Sequence, residues 1–287
     1  IPSSSPEPTS TTTQYRLQAE LDYAAHTLSA AESIRYTNQT GVDLPDLQLV
    51  VRPADWAGSF QLTSLSWEDG TPIPEAEIEG AVLRIPLVQP LQTGEQIGLQ
   101  LSYALRLPEI LSAELGSRPL PYGYTERQAN LVDWYAFLPP YRPGVGWLVH
   151  PPAATGEHLV YDIADFEIEL TLAAAVPGLV IAASAPAVQE GLSYTYSLPA
   201  ARSFAWSASP YYQVLVKPVG ETVVSSYFFP YNAAAGQEVL QTTAQALELY
   251  NALLGPYPRP SLSAVVADFP DGMEDSGLYF ISRDYYE

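Results

Sequence analysis

From Gln14 onward apolar and polar residues alternate. Tyr15, Leu17, Ala19 and Leu21 share one side of a first period-two run, and Leu28, Ala30, Glu32, Ile34 and Tyr36 share one side of a second. Period two in runs rich in tyrosine and aliphatic residues predicts half-buried β-strands. The pattern continues through 47–51, 60–67, 82–87 and 97–107, with Asp69-Gly70 and Thr93-Gly94-Glu95 as turn signals between runs. Short strands at this spacing predict an antiparallel β sandwich or saddle. Residues 108–158 break the pattern: proline is dense and aromatics cluster at Tyr122, Tyr124, Trp134, Tyr135, Phe137, Tyr141 and Trp147. Such a stretch is either a packed Ω-like loop or one that lines a ligand. Alternation returns at 161–172, 176–182, 193–198, 203–207 and 213–216, so an all-β domain is expected over 14–218.

Residues 222–229 predict one more strand, and the first convincing helix follows over 232–254. Leu240, Ala244, Leu247, Tyr250 and Leu254 form one stripe, with Asn232 as the expected N-cap, Gly255 as the C-cap and Pro256 and Pro258 preventing continuation. An apolar strand at 262–267 leads to Asp271-Gly272-Met273-Glu274-Asp275, and a second apolar run occupies 278–281. This change from all-β to mixed structure predicts a second domain over 219–287, truncated in the middle of an element pattern. Asp271-Gly272 reads two ways: as a hairpin turn between the flanking strands, or as bare backbone that a ligand approaches, with Glu274 beside it.

Composition narrows the functions. Twelve basic against 32 acidic residues give a formal charge of −20, a field that disfavours nucleic acid and anionic membrane surfaces and is compatible with amines. Hydrophobic residues make up 47%, enough for a globular core. Without cysteine there is no disulfide framework, thiolate metal site or cysteine nucleophile. No apolar run reaches the roughly 20 residues of a membrane span. Residues 1–13 are rich in Ser, Thr and Pro and read as a flexible tether of the kind that follows an export signal or lipid anchor, which points to an extracytoplasmic location. His26, His150 and His158 are widely spaced, and none stands in His-Glu-x-x-His, so no metal site is expected within the chain. Asn38-Gln39-Thr40 matches a glycosylation sequon, a pattern frequent by chance.

The order of features carries more than any single phrase. An all-β domain, a strand, a helix ending in Leu254-Gly255-Pro256-Tyr257-Pro258, an apolar strand and then Gly272-Met273-Glu274 together resemble the M1 family of zinc aminopeptidases. Ile34-x-Tyr36-x-Asn38, Ala201-Arg202-Ser203-Phe204-Ala205, Gly146-Trp147, Gly156-Glu157, Tyr161 and Ala164-Asp165-Phe166 fit the same resemblance, the later ones pointing to a bacterial branch with a Gly-Gly-Met-Glu-Tyr-Pro-Gly motif. It implies a β saddle followed by the start of a thermolysin-like domain, whose zinc site lies in a part of the family fold beyond these motifs. Gly272 and Met273 would then contact the backbone of a peptide substrate with a free N-terminus, and Glu274 would anchor its α-amine. Asp275 stands where many members have Asn, and Thr125-Glu126 is a loose counterpart of a family phrase that would make Glu126 a second amine contact. Zinc is expected in the full-length protein and no cofactor in this chain, which would need the rest of its catalytic domain as partner and would be inert alone. A non-catalytic binding or assembly module on the same scaffold is the alternative. An unrelated exported β protein, with the aromatic stretch as core, is a third reading.

Overall fold

The computed structural model describes residues 11–110, 121–151, 158–269 and 272–286. Gly156, Glu157 and Asp271 of the phrases above lie outside the described residues, as do most of the tether and the prolines at 119, 152 and 270. The fold is mainly β. Its largest sheet has seven strands in the order Val188–Glu190, Ser193–Ala201, Ala164–Leu172, Thr13–Asp22, Thr27–Thr37, Gln96–Arg106 and Phe60–Trp67. Tyr15, Leu17, Ala19 and Leu21 are buried, and the residues alternating with them point to solvent. Burying each such leucine contributes about 1.5–3 kcal/mol, and this repeated burial fixes which face is inward. All neighbours in this sheet are antiparallel except the central pair, Thr13–Asp22 with Ala164–Leu172, which is parallel. A parallel pair needs a long crossover, here the whole excursion from the first strand to the later one.

Smaller sheets pack against the large one. Leu44–Val50, Val82–Leu91 and Glu77–Glu79 form one, and Val180–Ala183, Trp206–Ser209, Ala129–Leu131 and Gly123–Tyr124 form another. The aromatic stretch is core: Tyr122, Trp134, Tyr135 and Phe137 are all buried. A buried irregular backbone must find partners for its N–H groups. Phe137 exchanges both backbone bonds with Val50, Leu138 N–H donates to Tyr15 Oη at 3.0 Å, and Ala136 N–H donates to Glu32 Oε2 at 3.1 Å.

The last sheet is mixed, in the order Gln213–Val219, Thr222–Phe228, Ser261–Ala267, Leu278–Ser282 and Met273–Asp275. Gln213–Val219 is the hairpin partner of Thr222–Phe228. The helix Ala233–Leu254 lies on these two strands through Gly236, Leu240, Ala244 and Leu247. Two expectations about it change. Tyr250 and Leu254 continue the stripe but are exposed, 56% and 83%, because the helix runs beyond the sheet that buries its first turns. Asn232 occupies the N-cap position without a capping bond, since its buried side chain donates to Tyr286 O at 2.9 Å. Gly255 ends the helix with φ 96°, a left-handed conformation that glycine adopts without strain.

Candidate functional site: an edge strand and its supports

The two apolar runs around the Gly-Met-Glu-Asp stretch pair in parallel, Ser263 with Leu278 through Ala267 with Ser282. Parallel neighbours cannot be joined by a tight hairpin turn, so these two strands do not form the hairpin that the Asp-Gly dipeptide suggested. Instead Met273–Asp275 forms a strand of its own, antiparallel to Leu278–Ser282. The tight turn lies at Ser276 and Gly277, with Gly277 at φ 78°. A Cβ on Gly272 would come within 3.3 Å of Phe280 O.

Met273–Asp275 is the last strand of the mixed sheet, paired on one side only among the described residues. Glu274 lies opposite Tyr279 and is exposed, whereas Met273 and Asp275 lie opposite Phe280 and Leu278, whose side chains are buried. Alternation thus sends the Glu274 carboxylate out and turns its two neighbours inward. Asp275 stands close enough to Tyr135 and Tyr161 to act on both hydroxyls. Burial first, then the Asp133 carboxylate and more weakly that of Asp275, pushes both well above the usual tyrosine range. Tyr161 Oη donates to Asp133 Oδ1 at 2.7 Å.

Contacts to the β part of the chain hold the turn after this strand and the end of the strand Ser261–Ala267. At its turn, Arg202 N–H donates to Ser276 Oγ at 3.0 Å, Ser276 N–H donates to Ser203 Oγ at 3.3 Å, and Gly277 packs on the Ser184 carbonyl. The second set of contacts is at Asp268, where the strand Ser261–Ala267 finishes. The Gln128 amide, fully buried, donates to Val266 O at 3.1 Å and accepts from Asp268 N–H, supplying the two bonds a neighbouring strand would make. Arg127 and Thr125 both bond the Asp268 carboxylate, and Arg283 approaches it to 3.6 Å. The Arg127 guanidinium lies 4.3 Å from the Phe229 ring centroid and 5.4 Å from that of Tyr231. Burial raises the Asp268 pKa, but the bonds from Arg127 and Thr125 and the charges of Arg127 and Arg283 outweigh it and hold the carboxyl below its usual range.

Glu126 sits between Thr125 and Arg127 and is exposed; its neighbours make the contacts to Asp268. The structure brings Gly272, Met273, Glu274 and Asp275 together on one edge. Arg127, Gln128 and Gly277 are supports that sequence reasoning missed, while Ser203 stood in the Ala201–Ala205 phrase without this role. Gly277 alone left a local signal, a second glycine after Asp275-Ser276. Among the described residues no group of three or more His, Asp or Glu side chains could hold a metal ion. His26, with φ 53°, stacks on Tyr124 at 3.5 Å between ring centroids, and burial lowers its pKa.

Solved structures share this arrangement of sheets. An M1 zinc metallopeptidase from Deinococcus radiodurans superposes with a TM-score of 0.58 at 15% identity, over 93% of this chain. A mutant of an M1 zinc metallopeptidase from Deinococcus radiodurans, bound to a Tyr-Ser-Ala substrate, gives 0.58 at 16% identity over 93% of this chain. The fold is that of M1 zinc metallopeptidases. A two-domain M1 zinc metallopeptidase mutant bound to L-tryptophan superposes equally well, with a TM-score of 0.58 at 16% identity over 94% of this chain. The chain spans about 60% of the length of these M1 structures. No protein-family profile and no curated protein matches the sequence.

Proposed function

We propose that this chain is the first part of an exported M1-type zinc aminopeptidase, and that Met273–Asp275 is one wall of its substrate cleft. The observation that carries the reading is a strand at a sheet edge, with Gly272 at its start and the exposed carboxylate of Glu274 in its middle. An extended peptide can add to such an edge by main-chain hydrogen bonds, and a carboxylate suits the α-ammonium at its end. Gly272 and Met273 act as backbone contacts, Glu274 as the amine anchor, and Glu126 as a second contact to the same amine. The acidity of the chain, −20 in formal charge, favours a cationic ligand at this edge. Zinc would supply the activated water of the full-length enzyme, held by residues of the rest of its catalytic domain. A division between the β domain and the mixed sheet, expected at residue 219 but placed here before Gln213 because Gln213–Val219 pairs with Thr222–Phe228, and the Ser/Thr/Pro tether belong to the same proposal.

The test compares the 287-residue chain with a longer polypeptide that contains it. The chain alone is expected to leave aminoacyl p-nitroanilides intact, and the longer protein to cleave them in a chelator-sensitive way. Glu274→Gln in that protein should raise KM roughly tenfold to a hundredfold, the equivalent of about 1.5–3 kcal/mol for a charge-assisted bond. An inactive longer protein would favour the non-catalytic scaffold, and an unchanged KM would remove Glu274 from the site.

A further inference from the structure

Glu32 occupies an inward position on the strand Thr27–Thr37 and is only 2% exposed. Its Oε2 accepts two hydrogen bonds, from Tyr103 Oη at 2.9 Å and from Ala136 N–H at 3.1 Å, while Oε1 has no hydrogen-bond partner. An ionised carboxylate spreads its charge over both oxygens and needs donors at each. With both donors on Oε2 and no partner at Oε1, ionisation would leave charge on a buried, unsolvated oxygen, which favours the protonated acid. Among the described residues no cation acts on Glu32 to repay ionisation. Tyr103 faces Glu32 from Gln96–Arg106 and Tyr15 from Thr13–Asp22, with Tyr122 and Tyr135 beside Tyr103. A buried charge without a cationic partner costs several kcal/mol, so the proton stays on.

We infer that Glu32 is a proton-controlled latch: its neutral carboxyl holds the segment around Ala136 to the seven-stranded sheet, and loss of the proton loosens that hold. Burial pushes the Glu32 carboxyl up to about 8, against the lowering effect of the bonds from Tyr103 and Ala136. Because the closed form has the raised value, the latch is at full strength below the ordinary carboxyl value of 4.5. It weakens as pH rises and reaches its minimum near 8. The consequence extends beyond the core. The held segment carries Asp133 and Tyr135, and Tyr135 Oη accepts the Phe204 N–H at 3.3 Å and feels the charge of Asp275. Opening the latch would therefore loosen the surface against which the Met273–Asp275 hairpin rests. The inference does not depend on the peptidase reading.

The experiment uses the intact chain, with glutamate Cδ labelled by carbon-13 and followed by NMR through a pH titration, and with Ala136 amide exchange measured in the same samples. One glutamate resonance should titrate near 8 and vanish in Glu32→Gln. After correction for intrinsic base-catalysed exchange, the Ala136 opening constant should rise about tenfold per pH unit between roughly 4.5 and 8, the slope of one proton, and stay flat in Glu32→Gln. If that variant does not fold, Tyr103→Phe serves instead: loss of a bond that lowers the Glu32 value should move the resonance further alkaline. The inference is overturned if every glutamate titrates in the ordinary carboxyl range. It is equally overturned if Ala136 opening stays flat in the wild type, or if Tyr103→Phe leaves the resonance in place.

Discussion

Arg127 grips Asp268 with two guanidinium nitrogens, one on each carboxylate oxygen, and so ties a turn of the β part to the end of a strand 141 residues later. The pair is more than a surface ion pair, because the Asp268 side chain is only 7% exposed and the guanidinium also covers the Phe229 ring. Arg127→Met keeps the aliphatic bulk and removes the charge, leaving a nearly buried carboxylate with only Thr125 and the more distant Arg283. The expected loss is about 3 kcal/mol of unfolding free energy, read by chemical denaturation. Arg127→Lys should recover only part of it, since a point charge cannot make the two-pronged contact.

The same carboxylate sets an acid limit. Its folded pKa lies below the ordinary value, so it contributes stability above the unfolded value of 3.8, and that contribution is lost as pH falls through the folded value. Thermal unfolding of wild type should therefore drop more steeply below about pH 4 than that of Asp268→Asn. Parallel acid profiles would show that Arg127 contributes nothing through charge. The sign is opposite to that of Glu32, whose contribution is lost on the alkaline side.

Gly277 permits the close docking of the candidate edge. Its φ of 78° disfavours any side chain, and a Cβ there would collide with the carbonyl oxygen of Ser184 and lie 3.1 Å from its carbonyl carbon. Backbone on both sides cannot yield cheaply. Gly277→Ala is expected to cost at least about 2 kcal/mol, the sum of left-handed strain and the clash. Amide exchange of residues 273–275 should accelerate more than that of the seven-stranded sheet. Uniform acceleration would mean that the turn is not a local support.

Local pattern revealed the elements but not their partners. Alternation at Tyr15, Leu17, Ala19 and Leu21 showed both the strand and its buried face, and Gly255 marked the helix end, because each depends on neighbours in sequence. The parallel pairing of Thr13–Asp22 with Ala164–Leu172 depends on a distant strand and left no local trace. A hairpin between the two apolar runs was suggested by an Asp-Gly dipeptide, yet those runs pair in parallel and the hairpin turn lies at Ser276-Gly277. The order of motifs drew attention to Glu274, whereas nothing local drew it to Arg127 and Gln128, since their partners lie in the mixed sheet.

Asn38 shows how a sequon can be structural. It is fully buried, donates to Val42 O and Leu91 O at 2.8 Å each, and accepts from the Thr40 N–H and hydroxyl. All of its polar capacity is used, and the threonine of the sequon belongs to the same knot. Expression in a glycosylating host should give folded protein without a glycan on Asn38, as read by intact mass. Asn38→Ala should cost about 3 kcal/mol, because two carbonyls lose their donors.

Gly236 tests packing against propensity. It lies in the helix Ala233–Leu254, where replacing glycine by alanine normally stabilises by about 1 kcal/mol. Here the helix crosses the strand Thr222–Phe228 closely enough for Ser226 Oγ to donate to Gly236 O at 2.9 Å. A Cβ on Gly236 would overlap Cδ1 and Cγ of Phe228 and lie 2.8 Å from Cε1. Phe228 is only 2% exposed, packed among Phe229, Val265 and Phe280, so its ring cannot swing aside without displacing them. Gly236→Ala is therefore expected to destabilise by about 1–3 kcal/mol, the cost of overpacking, despite its better helix propensity. Combining it with Phe228→Leu should restore part of that loss, whereas a higher melting temperature for Gly236→Ala alone would mean that helix and sheet separate more freely than their contact implies.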